Sequence, residues 1–192
     1  MPTTATPNIL KDPGYLFWAP LGTSLPTNTV SGSKFTDSWN SPWVGLGATA
    51  EGSTIAYELK LEAISVAEFF DPIQWVPTER TGSIAMALAD VTLTKLKYAF
   101  NGGTQTIVSG TGATQLNKLS PPDNTQIVRA MIGWESLDGT MRAFMYQTIN
   151  GAKMELAFKK APDNTTIPVE FNFEVPSGLP PLDFYTAGTA RA

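Results

Sequence analysis

The sequence predicts a mainly β fold: a β-sandwich or partly open barrel with one flanking α-helix and extended terminal arms. Apolar residues alternate with polar ones in several segments, which is typical of strands with one buried face. Turn-forming pairs such as Asp138-Gly139 and Asn150-Gly151 separate these segments as hairpin turns do. One segment has helical spacing. About seven to nine strands and one helix follow, a pattern typical of a sheet structure that a helix covers.

The chain divides into three parts. Residues 1–42 begin with a Pro- and Thr-rich stretch and carry many turn formers, so we expect an N-terminal arm followed by an extended connection. Residues 43–175 are the expected β-sandwich domain. Residues 176–192 lack a core pattern and are expected to form a C-terminal arm outside the domain.

Alternation identifies the strands of the domain. Ile55 to Leu61 has an apolar residue at every second position and a polar opposite face. Ile84 to Leu88 alternates with alanine, which predicts a strand covered on both faces. The stretch Phe70–Arg80 contains two prolines, with Trp75 between them, and is expected to be a loop. The remaining expected strands are Thr106–Val108, Gln115–Leu119, Ile127–Trp134, Met141–Ile149, Lys153–Lys159 and Ile167–Val175.

Two details qualify these assignments. Pro168 cannot donate a ladder hydrogen bond, which indicates a strand start or a sheet edge. The expected helix runs from about 92 to 101, because Leu93, Leu96 and Phe100 share one face. Asp90 or Thr92 is its expected N-cap. So short a helix must pack on a sheet to be stable.

Composition argues against catalysis and against tight binding of nucleic acid. Cysteine and histidine are both absent, which removes thiolate chemistry and the commonest general base and metal ligand. We expect no enzyme activity, no cofactor and no metal. The net charge is −4 and the basic residues are scattered, which disfavours a grip on phosphates. No apolar run approaches the ~20 residues of a membrane span, and we expect the N-terminal residues not to be a secretory signal, because they lack a basic region followed by an apolar stretch.

A charge-poor composition favours self-association. Charged residues make up 16% of the chain, against about 25% in ordinary soluble domains. Apolar side chains in unpatterned segments are unfavourable when exposed and favourable when they dock on a neighbour. The expected inter-subunit contacts are Leu16, Phe17, Trp18, Trp75, Phe184 and Tyr185.

Sugar chemistry is the alternative that the residues leave open. Glu58 and Glu62, or Glu170 and Glu174, lie about 13 Å apart if they are on a strand, which exceeds the spacings of roughly 5–9.5 Å found in glycosidases. The five tryptophans are scattered and share no strand face. A carbohydrate-binding module or a carboxylate-based glycosidase therefore remains a less favoured interpretation.

Four motifs resemble a known family. The run from Tyr15 to Pro26, YLFWAPLGTSLP, is followed by WVGLG at Trp43–Gly47. The segment Ser83–Leu96 is similar to a strand that leads into a single helix, and Ile167–Phe171 reads IPVEF. In this order and spacing they resemble the major tail tube proteins of long, non-contractile-tailed bacteriophages, especially those that infect actinobacteria. The resemblance extends from about residue 15 to 175.

The resemblance implies a virion protein that is assembled in the host cytoplasm. Its hexameric rings stack into a tail tube around a tape-measure protein, with tail terminator and tail-tip proteins as further partners. DNA passes through the tube without specific binding. On this interpretation Phe70–Arg80 contacts the next ring, and the lumen-facing acidic candidates are Glu58, Glu62, Glu68, Glu170 and Glu174. A capsid decoration or surface-layer subunit is the alternative with the same composition.

Overall fold

The computed structural model describes residues 13–65, 70–158 and 165–188. Within these ranges the chain forms twelve β-strands and one α-helix. The helix, α1, is Leu93–Ala99. The strands are β1 (Gly14–Pro20), β2 (Val30–Ser31), β3 (Lys34–Phe35), β4 (Val44–Gly45), β5 (Thr49–Ile64), β6 (Gln74–Leu88), β7 (Thr104–Ser109), β8 (Leu116–Ser120), β9 (Ala130–Ser136), β10 (Met141–Asn150), β11 (Ile167–Phe173) and β12 (Leu182–Thr186).

Strand β10 joins two halves of one eight-stranded sheet, whose order is β4-β1-β9-β10-β11-β6-β5 with β12 also on β10. Its residues Arg142–Met145 pair with both β9 and β12. Its last residues, Thr148–Asn150, pair with β11. The register with β9 shifts between Met145 and Thr148. Such irregularities bend a strand, so β10 passes from one half of the sheet to the other at this point.

The main core lies between the two halves. Its buried members include Leu16 and Ile132 from one half and Ile84 and Phe171 from the other, all in one cluster. Because side chains of both halves pack together, the sheet folds back on itself around this core. The predicted mainly β fold with one helix is confirmed.

A second cluster lies on the opposite face of β1, β9 and β10. Ala19, Met131 and Phe144 are buried there beneath the segment 21–43, which ends with Trp43. This segment therefore covers a face of the sheet, and the half-sheet that contains β1 is buried on both sides.

Arg142 fastens the segment 21–43 to the sheet. Its side chain is fully buried. Its Nε donates to Oε2 of Glu135 at 2.9 Å, and its Nη1 donates to Oδ1 of Asp37 at 2.9 Å. Its Nη2 also donates to the carbonyl oxygen of Asp37 at 2.8 Å. The guanidinium lies 4.5 Å from the ring centroid of Phe35. A buried cation thus holds three separate parts of the chain together.

Helix α1 closes one end of the core, and it lies within the predicted range of about 92–101. The Thr92 hydroxyl accepts a hydrogen bond from the amide of Lys95 and caps the first turn. At the other end Asn150 Nδ2 donates to the carbonyl of Ala99 at 2.5 Å. Asn101 exchanges two hydrogen bonds with the Asn150 backbone, at 2.7 and 2.8 Å. The helix is therefore tied to the last residue of β10.

The prediction of extended terminal arms is wrong for the two segments that form strands of the sheet. Residues 14–20 are β1, which pairs with β9 over its whole length. Residues 182–186 are β12, which pairs with β10. β1 lacks an obvious alternation because it is buried on two faces, so apolar residues occur at consecutive positions. β12 has five residues, too few to show a clear alternation.

Two other assignments also need correction. The expected loop Phe70–Arg80 is strand from Gln74 onward. The strand tolerates Pro77 because this residue lies where the register with β5 shifts. The expected strand Lys153–Lys159 has no strand structure up to residue 158. Met154 and Leu156 pack on the core from an irregular segment instead, so their alternation reflects burial without a ladder. Pro168 is the second residue of β11, in agreement with a strand start.

Candidate subunit-assembly surface

The hairpin of β5 and β6 extends well beyond the core. The two strands pair from Thr49 and Leu88 to Ile64 and Gln74. With 16 residues, β5 spans about 50 Å at the usual rise of a strand. The half near the domain contributes Ile84, Met86 and Leu88 to the core. In the outer half, residues 57–64 are all exposed.

One face of this outer half is mainly apolar, with Arg80 opposite Leu59. Ile55 pairs with the buried Ile84, so the alternating residues Tyr57, Leu59 and Leu61 continue the core-facing side of the sheet. Their exposed fractions are 55%, 47% and 48%. On β6, Trp75 pairs with Ala63 on the same face and is 59% exposed. We call these four residues, Tyr57, Leu59, Leu61 and Trp75, the apolar hairpin face.

The opposite face of the hairpin is charged. Glu58, Lys60 and Glu62 alternate along β5, and Lys60 pairs directly with Glu79 of β6. Lys60 Nζ lies 2.5 Å from Oε2 of Glu79, and this hydrogen bond raises the pKa of Lys60. The hairpin is therefore an amphipathic ribbon. Its charged side favours contact with water, and the side chains of its apolar side are about half exposed.

The apolar hairpin face leads into a groove of about 670 Å³ at the end of the core opposite α1. Strand β10 begins at this groove with Met141 and ends at α1 with Asn150. The groove is the open end of the folded sheet, where both halves leave core side chains accessible. We call it the mouth groove. Its lining residues are Ser53, Ile55, Tyr57, Arg80, Trp134, Met141, Pro180, Pro181, Leu182 and Phe184.

The described residues contain no cluster of three or more acidic side chains placed to hold a metal ion. Within the same part of the chain, no helix has the length and apolar character needed to cross a membrane.

A scan against protein-family models and a search of curated proteins found no match to the chain.

Four of the expected contact residues lie inside the subunit. Leu16 is 1% exposed and belongs to the main core. Phe17 stacks on Trp39 with ring centroids 4.1 Å apart, and Trp18 stacks on Tyr98 at the same distance. Tyr185 packs edge-on against Phe144 at 5.4 Å. These aromatics are satisfied within the subunit, because β1 and β12 are strands of the sheet.

The other two expected contact residues are exposed. Trp75 lies on the apolar hairpin face, and Phe184, which is 54% exposed, lines the mouth groove. They belong to one continuous apolar region, since Tyr57 is part of both the face and the groove. The sequence did not reveal the groove itself, because its residues come from five strands and from the turn before β12.

Three of the acidic candidates share one face of the sheet. Glu58 and Glu62 alternate on β5, and Glu170 pairs with Ala85, which also pairs with Thr54 on that face. Glu174 is different. Its carboxylate accepts hydrogen bonds from Arg129 and from Gln147, and these partners hold its pKa below the usual value. Glu68 lies outside the described residues.

The tryptophans form no exposed platform within the described residues. Trp39 and Trp43 pack over the second core cluster with ring centroids 5.0 Å apart, and Trp18 is covered by Tyr98. Trp134 lies in the mouth groove, and Trp75 lies on the hairpin. No pattern in the sequence pointed to the burial of Arg142, because a single arginine in a strand is also typical of an exposed position.

Proposed function

We propose that this chain is a structural subunit of the phage tail tube type, which assembles with copies of itself into stacked hexameric rings. The observation that carries the proposal is the apolar hairpin face. A β-ribbon that projects from its domain with bare Leu, Tyr and Trp side chains is unfavourable in water and typical of a surface that docks on a partner.

The energy available from such docking is substantial. Complete burial of a large apolar side chain contributes about 1.5–3 kcal/mol, and a half-exposed one contributes roughly half of that. Leu59, Leu61 and Trp75 are each about half exposed. Repeated at every subunit of a ring, these contributions favour assembly that is cooperative and dependent on concentration.

The arrangement favours rings over closed pairs. The outer end of the apolar hairpin face, with Leu61 and Trp75, does not line the groove, so docking of that end into the groove of the next subunit is a head-to-tail contact. Head-to-tail contacts generate rings when the rotation closes, and filaments when it does not. This agrees with the tube that the sequence motifs imply, and less well with the compact trimers of a capsid decoration protein.

The polar side of the same sheet is suited to a lumen. Glu58, Glu62 and Glu170 share that side, where Lys60 is already paired with Glu79. Negative charge repels DNA phosphates and prevents adhesion during passage. In this assignment the charged face lines the channel. Replacing these glutamates by lysine should permit assembly and slow DNA release, and unchanged release would contradict the assignment.

The assembly test compares the two faces of one strand. Leu59→Thr with Leu61→Thr alters the apolar face, and Lys60→Thr with Glu62→Thr is the matched control on the charged face. Wild type and control should form rings and tubes in negative-stain electron microscopy at high concentration. The Leu variant should sediment as a folded monomer. Normal tubes from the Leu variant, or a wild type that stays monomeric at every concentration, would overturn the proposal.

A further inference from the structure

Two asparagines of the chain are each followed directly by glycine, in the pairs Asn101-Gly102 and Asn150-Gly151. In the fold these two pairs meet where the end of α1 contacts the end of β10. We propose that Asn101 and Asn150 are paired sites of deamidation, which the folded subunit protects and the unfolded chain exposes. This inference concerns the isolated subunit and does not depend on assembly.

The chemistry of deamidation sets the conditions that the fold has to block. Asparagine is a thermolabile residue, and a following glycine has no side chain to hinder its reaction. The backbone nitrogen of the glycine attacks Cγ of the asparagine, and the new N–Cγ bond closes a succinimide ring. The Cγ–Nδ2 bond breaks, and Nδ2 leaves as ammonia with the proton from the backbone nitrogen. Water then opens the ring and yields aspartate or isoaspartate.

The folded structure opposes each of these steps at Asn150. The Gly151 amide donates to the carbonyl of Glu170 at 2.8 Å, so the attacking nitrogen is already engaged. Asn150 Nδ2 donates to the carbonyl of Ala99 at 2.5 Å. Its Oδ1 accepts from the amides of Ala152 and Glu170 at 3.2 and 2.8 Å. The side chain cannot turn towards Gly151 without breaking these bonds, and with 7% exposure it meets little water.

Asn101 is held in a similar way, and its partner is Asn150 itself. Asn101 Nδ2 donates to the Asn150 carbonyl at 2.8 Å, and Asn101 Oδ1 accepts from the Asn150 amide at 2.7 Å. The Gly102 amide donates to the carbonyl of Lys97 at 2.9 Å. We call the hydrogen bonds that join Asn101, Asn150 and Ala99 the asparagine clasp. Each asparagine is protected only while the other is in place.

The fold requires glycine after both asparagines and therefore retains their lability. Gly102 has a φ of +125°, which residues with a side chain rarely adopt. A Cβ on Gly151 would lie 2.1 Å from Nδ2 of Asn172, so a side chain there would have to displace this neighbour. Because a bulkier residue does not fit well at either position, the protection has to come from hydrogen bonds.

Deamidation of the unfolded chain would oppose its refolding. An ionised aspartate accepts hydrogen bonds and donates none, so the product at residue 150 would place a carboxylate oxygen against the Ala99 carbonyl. Isoaspartate would also lengthen the backbone to which Asn101 is bonded. A chain that reacts while it is unfolded therefore cannot restore the asparagine clasp.

Peptide mass spectrometry can measure the loss of each amide at mildly alkaline pH, in native buffer and in guanidinium chloride. Residues 143–153 form one tryptic peptide with a single asparagine, Asn150, so its conversion is read directly. Each hydrogen bond that must break first slows the reaction by about two- to tenfold, so folding should slow it by about a hundredfold at both sites. Asn117, which precedes a lysine, is the internal reference and should react slowly in both states. Equal rates at Asn150 in the folded and unfolded protein would overturn the proposal.

A pair of variants tests whether the asparagine clasp itself gives the protection. Asn101→Gly suits the positive φ of this position and removes both bonds to the Asn150 backbone. Deamidation of Asn150 in native buffer should then accelerate about tenfold. Thr92→Ala is the matched control, because it removes the cap at the other end of α1, and it should leave the rate unchanged. An unchanged rate in the Asn101 variant, or equal acceleration in both variants, would contradict the protective role of the clasp.

Discussion

The segment 21–43 and the outer half of the β5–β6 hairpin both leave the sheet, and they end in opposite environments. The segment lies on the second core cluster, where Arg142 binds Asp37 and Trp39 packs on Phe17. The hairpin projects with Leu59 and Leu61 about half exposed. The segment is rich in turn formers and the hairpin in apolar alternation. Polar composition therefore did not decide which segment is covered within the subunit.

The segment 21–43 and the apolar hairpin face therefore have different roles. Covering the second core cluster stabilises the subunit, because it buries apolar surface that would otherwise face water. The apolar hairpin face adds little to the isolated subunit, since its side chains are about half exposed. Substitutions in the two regions should thus divide into those that unfold the subunit and those that spare it.

The largest expected effect is at Arg142. Arg142→Ala leaves Asp37 and Glu135 largely buried without their cation, which costs about 3–5 kcal/mol of unfolding free energy. Urea denaturation measures this loss. Arg129→Ala is the control, because Arg129 is about half exposed in its ion pair with Glu174, and should cost less than about 1 kcal/mol. Equal losses of unfolding free energy at the two arginines would contradict the role of Arg142 in holding the segment 21–43 on the sheet.

The next effect compares two positions in the hairpin itself. Ile84→Ala creates a cavity at a fully buried site and should lower the unfolding free energy by about 2–5 kcal/mol. Leu59→Ala in dilute solution should lower it by less than about 1 kcal/mol. Thermal or urea unfolding of the monomer distinguishes them. Similar losses at both positions would mean that the outer half is packed within the subunit.

A smaller effect should follow from one hydrogen bond of the covered segment. Trp39 Nε1 donates to Oε2 of Glu135, and its ring stacks on Phe17. Trp39→Phe keeps an aromatic ring and removes the donor, so we expect a loss of about 1.5 kcal/mol. Trp75→Phe on the hairpin is the matched control and should leave monomer stability unchanged. A neutral Trp39→Phe would show that stacking alone holds the segment.

The smallest effect is a pH dependence near the covered segment. Asp138 accepts hydrogen bonds from the Ser136 hydroxyl and from Thr140, which hold its pKa below the usual value. Phe35 rests on this turn through a hydrogen bond to the Gly139 carbonyl at 2.8 Å. Because the folded pKa is lowered, the contribution is present above the unfolded-chain value of about 3.9 and is lost as pH falls through the folded pKa.

Asp138→Asn should flatten this part of the stability profile. Unfolding measured between about pH 5 and pH 2 should decline less steeply in the variant than in the wild type. Asp71→Asn, at an exposed position beside the hairpin, should leave the profile unchanged. An equally steep loss of stability in the Asp138 variant and the wild type would contradict the contribution of the Asp138 hydrogen bonds to the pH dependence.

Alternation determined much of the sheet. Residues 84–88 and 167–173 alternate strictly and are strands at those positions, and the spacing of Leu93 and Leu96 located the helix. Local pattern succeeds there because one face of each element is buried and the other is not. It failed for β1 and β12, where burial on both faces or a short length removes the alternation. It failed also at Lys153–Phe158, where the alternation belongs to an irregular segment.

The sequence by itself therefore determined the mainly β class, the single helix and the absence of thiol and imidazole chemistry, since these follow from composition and from local period. Only the tertiary structure decided which apolar residues are covered. Leu16 and Leu59 are both leucines in strands, yet one is 1% exposed and the other 47%. Burial depends on which strands fold over one another, and that is set by contacts between residues more than a hundred positions apart, such as Arg142 and Asp37.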